Sequence, residues 1–277
     1  MTKQTCGVIK QKLFQVQKPS NNRAFALHLT GLNMNASFVR EAEKRLWLIY
    51  HFYRYALSQS AQKVAFPTIQ LNMHIAANES DYNSLIRARE GQPEGTDGMY
   101  FLLENQGFVK YSGDEKQALS TLVHEAVHAL NFYFFGFTPR WVTEGLAVYF
   151  ENLSMTKDNQ FVIKPALNGW LTKKGLLNNH FNALDIDTLF NSEGQWQTDQ
   201  KHTLYANAYL FTSFMHDKNP KLLYEYLQQE RSNPCNIIPA ERSASLLRNY
   251  QPTIESEYLH YQQQPVIATF GEYEILD

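Results

Sequence analysis

Two apolar helical stripes separated by only a few residues constrain this chain more than any other feature. Leu119, Leu122, Val123, Ala126, Val127 and Leu130 recur at three- and four-residue intervals, the period of a helix with one buried face. Asp114, with Gln117 three residues later, has the spacing of a capping box at its start. Gly136 offers a left-handed stop. Thr138 and Pro139 then read as an N-cap and first-turn proline, opening a second helix through Trp141, Leu146, Ala147 and Phe150. A connection this short makes the two helices fold back on each other.

The residues before this pair read as strands and helices in alternation. Arg23 to Thr30 places Phe25, Leu27 and Leu29 on one face, and Ile69 to Ile75 alternates more cleanly still. Between them Phe38, Ala42, Leu46, Ile49, Tyr53 and Ala56 form the stripe of a long amphipathic helix. Met99 to Leu103 and Phe108 to Tyr111 flank Glu104-Asn105-Gln106-Gly107 as a hairpin. After the central pair, helices are expected at Thr203 to His216, Pro220 to Gln229 with Asn219 as cap, Ala240 to Arg248 and Ile254 to Gln262. Strands first and helices after indicate an α+β chain: a small mixed sheet with covering helices, then a mainly helical remainder.

At 277 residues with 44% hydrophobic, 14% aromatic and 19% charged side chains, the chain can bury a large core. No repeat or linker divides it, so one domain over residues 1–277 is expected. The balance of 25 Lys+Arg against 27 Asp+Glu supplies no global positive field, which argues against nucleic acid as a partner. No apolar run reaches membrane-spanning length. Met1 to Ser20 lacks a signal-peptide pattern, which points to the cytoplasm; a trimmed signal would make the protein periplasmic or secreted. Cys6 and Cys235 are too few for a disulfide scaffold and read as inert thiols rather than a staple.

The chemistry is concentrated in His124-Glu125-Ala126-Val127-His128. Residues four apart share a helical face, so both imidazoles can bind one zinc ion, with Glu125 directed at the water such an ion holds. In a chain of this composition the pattern arises by chance about 0.02 times. A catalytic zinc takes three protein ligands, and Glu144 supplies the third. His128 lies nine residues before Phe137 and Glu144 seven after it. At about 1.5 Å per residue, that puts them at nearly the same level on antiparallel helices. The surrounding Trp141 to Glu151 stretch is otherwise apolar, and a buried acid there needs a partner such as a metal; the alternative is an exposed glutamate near the helix N-terminus, favoured by the dipole. Glu151, two turns on, reads as solvent-facing or supporting. His28, His51, His74, His180, His216 and His260 show no ligand spacing, and Trp141 with Phe132 to Phe137 reads as core.

His-Glu-x-x-His followed on the next helix by Trp-x-x-Glu-Gly-Leu-Ala-x-Tyr-x-Glu resembles the gluzincins, the thermolysin-like zinc metallopeptidases, and most closely their compact bacterial members. The resemblance implies a zincin-like fold, with an N-terminal lobe over about residues 20–135 and a helical lobe over about 136–265. It also implies peptidase activity with one zinc on His124, His128 and Glu144, and Glu125 as general base. An edge strand, Met99 to Leu103 or Phe108 to Tyr111, would pair with an extended peptide or protein substrate. The oxyanion would be steadied by Tyr205, with Tyr209 and His202 as rivals. Val148 stands where thermolysin-type members carry an Asp that supports a zinc-bound His, and no amine-recognition motif marks an aminopeptidase. A catalytically inert, zinc-stabilised binding or chaperone-like protein is the alternative. A chance motif in a structural helical domain is a third reading, and bound metal separates it from the other two.

Overall fold

Phe25, Leu27 and Leu29 point to one side of β1 (Phe25–Gly31), and the long stripe that follows becomes α1 (Ala36–Ser58). The computed structural model describes residues 25–58, 69–155, 161–163 and 183–263; Arg23, His180 and Cys6 lie outside them. The chain divides into two compact units, Met1–Phe134 and Phe135–Asp277.

In the first unit α1 begins at Asn35, whose side-chain oxygen accepts the Ser37 and Phe38 backbone N–H groups at 3.0 and 2.9 Å. Its expected stripe, Phe38, Ala42, Leu46, Ile49, Tyr53 and Ala56, is buried throughout. The helix crosses over to β2 (Ile69–Ala76), which pairs parallel to β1 from Phe25↔Ile69 to Gly31↔Ile75. A short helix, α2 (Glu79–Arg87), follows where none was expected. It buries only Tyr82 and Ile86, a single pair four apart, too little to register as a stripe. Its one clear signal is the cap, Asn78, which accepts the Asp81 N–H with Glu79 and Asp81 in the first turn.

The hairpin strands are β3 (Gly98–Phe101) and β4 (Gln106–Lys110), so the turn occupies 102–105 rather than the expected 104–107. Asn105 takes the left-handed backbone, at φ 48°, a conformation asparagine tolerates. Its side chain is held by the Tyr100 hydroxyl and by Gln70 O. Gly107 is thereby left inside β4, where a Cβ would fall on Met73 Sδ. The sheet runs β1-β2-β4-β3, with β4 parallel to β2 and antiparallel to β3, so it is small and mixed, as the alternation implied.

The first of the central stripes is α3 (Glu115–Phe135). Asp114 caps it by accepting from Lys116 and Gln117 N–H. The Gln117 side chain does not close the capping box; it donates to Asp97 Oδ2 at 3.1 Å and accepts from Ser112 Oγ. Asp97 also pairs with Lys110 Nζ at 3.0 Å, which ties the start of α3 to the hairpin. On the other flank Tyr53 of α1 donates to Asn131 of α3, and the Tyr50 and Tyr53 rings meet Phe134 edge-on at 5.4 and 5.3 Å.

In the second unit Gly136 stands at φ 86°, and Phe137 N–H donates to Pro234 O at 2.9 Å. The next helix, α4 (Arg140–Glu151), starts one residue later than expected. Pro139 occupies the N-cap position, and Thr138 caps nothing, sharing a hydrogen bond with the Thr143 hydroxyl at 2.8 Å instead. A two-stranded hairpin of β5 (Leu153–Met155) and β6 (Phe161–Ile163) and a five-residue helix, α5 (Ile186–Phe190), were not anticipated; both are too short to show a period. A 3₁₀ turn (Glu193–Gln195) leads to α6 (Lys201–Lys218), α7 (Pro220–Ser232), α8 (Ala240–Tyr250) and α9 (Ile254–Gln262), within a few residues of their expected bounds. Asn219 sits at the N-cap position of α7 without a side-chain bond, and Pro220 fills the first turn.

Gly145 lets α4 approach α6 closely, since a Cβ there would stand 2.8 Å from Ala208 O. Trp141 anchors the core of this unit, stacked on Phe190 at 4.4 Å and 9° and flanked by Phe211 and Tyr226 at 5.3 and 5.1 Å. This is the core role expected of it. The thiol expectation fails for Cys235, which is disulfide-bonded. Two cysteines give no framework pattern, so only folding could reveal the pairing. The protein is thus α+β, a small mixed sheet with mostly helical content.

Candidate metal centre

One side of α3 is wholly apolar: Leu122, Val123, Ala126, Val127 and Leu130 are all buried. That burial fixes the helix rotation and so the direction of the remaining side chains. His124 and His128, one turn apart, share another face and remain half-buried. Their rings stand 4.8 Å apart and nearly perpendicular, at 86°. Glu125 is 5% exposed. One ligand atom from each of His124, Glu125 and His128 lies within 4.8 Å of the other two. Two imidazoles converging beside a carboxylate form a donor set suited to a metal ion.

Glu125 lies against the hairpin. A Cβ at Gly98 of β3 would stand 2.6 Å from Glu125 Oε1, and one at Gly107 of β4 would stand 3.4 Å from Glu125 Cβ. The register Gly98↔Val109 and Tyr100↔Gly107 puts both glycines on the sheet face that meets α3. On α2, burial pushes the Tyr82 hydroxyl's pKa well up, a hydrogen bond with Thr96 opposes this, and the Glu125 charge adds to the rise.

Glu144 and Tyr205 belong to the second unit. Glu144 is buried, 8% exposed, as its apolar surroundings implied. Tyr205 is half-buried on α6, its ring edge-on to Trp196 at 5.4 Å. Of its rivals, Tyr209 is buried beside Tyr149 and His202 is half-buried in the first turn of α6. Glu151 is half-buried at the end of α4. Other histidines have local partners: His51 packs on Trp47 at 4.0 Å, His74 meets Thr30 Oγ1 at 3.0 Å, and His216 lies 3.4 Å from Asp217. Burial, and then the nearby Arg54 and Arg89 charges, lower the pKa of His51 and His74 respectively. Sequence reasoning missed Gly98 and Gly107. Glycine inside a strand signals a close approach, but in a hairpin it is easily read as turn.

Residues 118–236, which contain the histidine motif, Glu144 and Tyr205, match a family model described as "Protein of unknown function (DUF1570)". No curated protein matches the chain.

Proposed function

We propose that this protein is a zinc-dependent metallopeptidase of zincin-like architecture, with His124, His128 and Glu144 as metal ligands and Glu125 as general base. The observation that carries the reading is the convergence of His124, Glu125 and His128 within 4.8 Å on one helix. The gluzincin resemblance extends it to Glu144 and to peptide bonds. A zinc ion held there would polarise the scissile carbonyl and lower the pKa of a water molecule. Glu125 takes the proton from the attacking water on its carboxylate and returns it to the leaving amine. Its burial beside the β3 backbone keeps that transfer away from bulk solvent. Tyr205, whose ring meets Trp196 edge-on, would steady the developing oxyanion by donating a hydrogen bond from its hydroxyl. Of the two strands considered for substrate pairing, β4 lies inside the sheet and β3 at its edge, which supports Gly98–Phe101 as the strand that takes an extended peptide. The disulfide at Cys235 supports the periplasmic or secreted alternative, because such bonds persist in oxidising compartments.

The test is metal content and cleavage together. Purified wild type should carry near one zinc per chain, and His128→Ala should lose most of it. Zinc-loaded wild type should cleave a fluorogenic casein, and Glu125→Ala should keep its zinc while turnover falls about 10²- to 10⁴-fold. Full activity in Glu125→Ala, or no metal uptake by wild type when zinc is offered at neutral pH, would overturn the proposal.

A further inference from the structure

We propose that Gly98 is a positioning residue for Glu125: the missing side chain at this point of the edge strand is what gives the Glu125 carboxylate its place. The consequence for turnover rests on the hydrolase reading; the steric coupling does not.

Glycine is not needed at 98 for its backbone. The left-handed glycines among the described residues are Gly31, Gly95, Gly113 and Gly136, and Gly98 is not one of them. It sits in an antiparallel ladder opposite Val109, a setting in which glycine weakens a strand and any side chain would serve stability better. The reason for glycine therefore lies on the side facing α3. There a Cβ would stand 2.6 Å from Glu125 Oε1, 2.8 Å from Glu125 Cγ and 2.6 Å from Thr121 Cγ2. Distances this short require something to move. Thr121 is β-branched and short, with two χ1 rotamers open to it within a helix, whereas the Glu125 carboxylate is the far end of a longer, flexible side chain. The carboxylate is the part that yields, and it is one of the three groups that converge at the metal centre.

Gly107 supplies the contrast. It lies on the neighbouring strand and on the same sheet face, yet its added Cβ would fall on Met73 Sδ and meet only Glu125 Cβ, at the ordinary contact distance of 3.4 Å. A methyl group at 107 strains the core; a methyl group at 98 displaces the base.

Gly98→Ala is therefore expected to hold as much zinc as wild type while kcat on fluorogenic casein falls at least about tenfold and KM changes by less than about threefold. Gly107→Ala should lower Tm with kcat within about threefold of wild type. In a Glu125→Asp background, whose acid is one methylene shorter, Gly98→Ala should cost less than about threefold, the non-additivity of two groups in contact. A crystal structure of zinc-loaded Gly98→Ala should show the carboxylate displaced by more than about 1 Å with both imidazoles in place, a shift on the scale that disables preorganised sites. If Gly98→Ala fails to fold, combining it with Thr121→Ser removes the Cγ2 overlap and leaves the carboxylate overlap to be tested. An unmoved carboxylate, or equal kcat losses in the two glycine variants, overturns the proposal. If wild type loaded with zinc cleaves no casein, the hydrolase reading fails, and the carboxylate position in the crystal still decides the role of Gly98.

Discussion

Glu125 and Glu230 are both removed from water, at 5% and 0% exposure, and the chain deals with the two charges in different ways. Glu230, on α7, accepts a hydrogen bond from the Tyr226 hydroxyl at 2.8 Å, and that hydroxyl also meets Ser243 Oγ at 2.8 Å. Burial pushes its pKa up to about 7, although the Tyr226 bond and the Ile238 N–H pull the other way. Around it stand neutral donors and the Trp141 cluster. Glu125 instead stands within 4.8 Å of two imidazoles, against a strand stripped of its side chain. A buried acid with one oxygen on a neutral hydroxyl and the other without a hydrogen-bond partner is a structural element that tolerates a proton. Glu125, grouped with two imidazoles and lying against Gly98, has the surroundings that the proposed role as a base requires.

The largest expected effect on stability tests whether aromatic packing encloses the Glu230 network. Trp141→Ala removes the ring stacked on Phe190 and packed on Phe211 and Tyr226, and should cost about 3–5 kcal/mol in urea denaturation. A loss below about 1 kcal/mol would show that the cluster does not support that side of the protein.

The next effect separates the two carboxylates by pH. Because the Glu230 pKa is raised on folding, its share of stability is complete below about pH 4.5 and is lost as pH rises through about 7. Glu230→Gln should therefore gain stability on the order of 3 kcal/mol at pH 8, little at pH 4, and leave cleavage unchanged. Denaturation curves at the two pH values check it, and an equal effect at both would remove the distinction drawn between the two acids. The smallest effect belongs to the first unit. Tyr53→Phe deletes the buried bond to Asn131, one turn beyond His128, and should cost about 1–2 kcal/mol. Burial holds the Tyr53 pKa far above its usual value, so this loss should be the same at pH 5 and pH 8. A pH-dependent loss would mean that the phenol titrates after all.

Much of this architecture was legible before folding, and the misses have a common cause. Helices with long stripes, α1, α3 and α6 to α8, could be read to within a few residues because their period repeats several times, and the nine-residue α9 because it buries three residues, Ile254, Tyr258 and Tyr261, where α2 buries two. Elements of one or two turns, α2 and α5, and the three-residue strands β5 and β6 offer no such repetition. The Gln117 side chain was misassigned because Asp97, a better partner, comes from a different part of the chain. The hairpin turn was displaced because Gly107 is needed opposite Met73, a contact across strands.

Legible in the residues alone were the shared α3 face of His124 and His128 with Glu125 next to them and the left-handed turn at Gly136. These follow from helical periodicity and backbone sterics, which act over a few residues. Folding alone settled that β3 rather than β4 lies at an edge of the sheet among the described residues, that Gly98 leaves room for a carboxylate, that Cys235 is bonded and that Glu144 and Glu230 are buried. Each of those depends on which distant segment arrives at the same place, and burial, clearance and strand order exist only once it has.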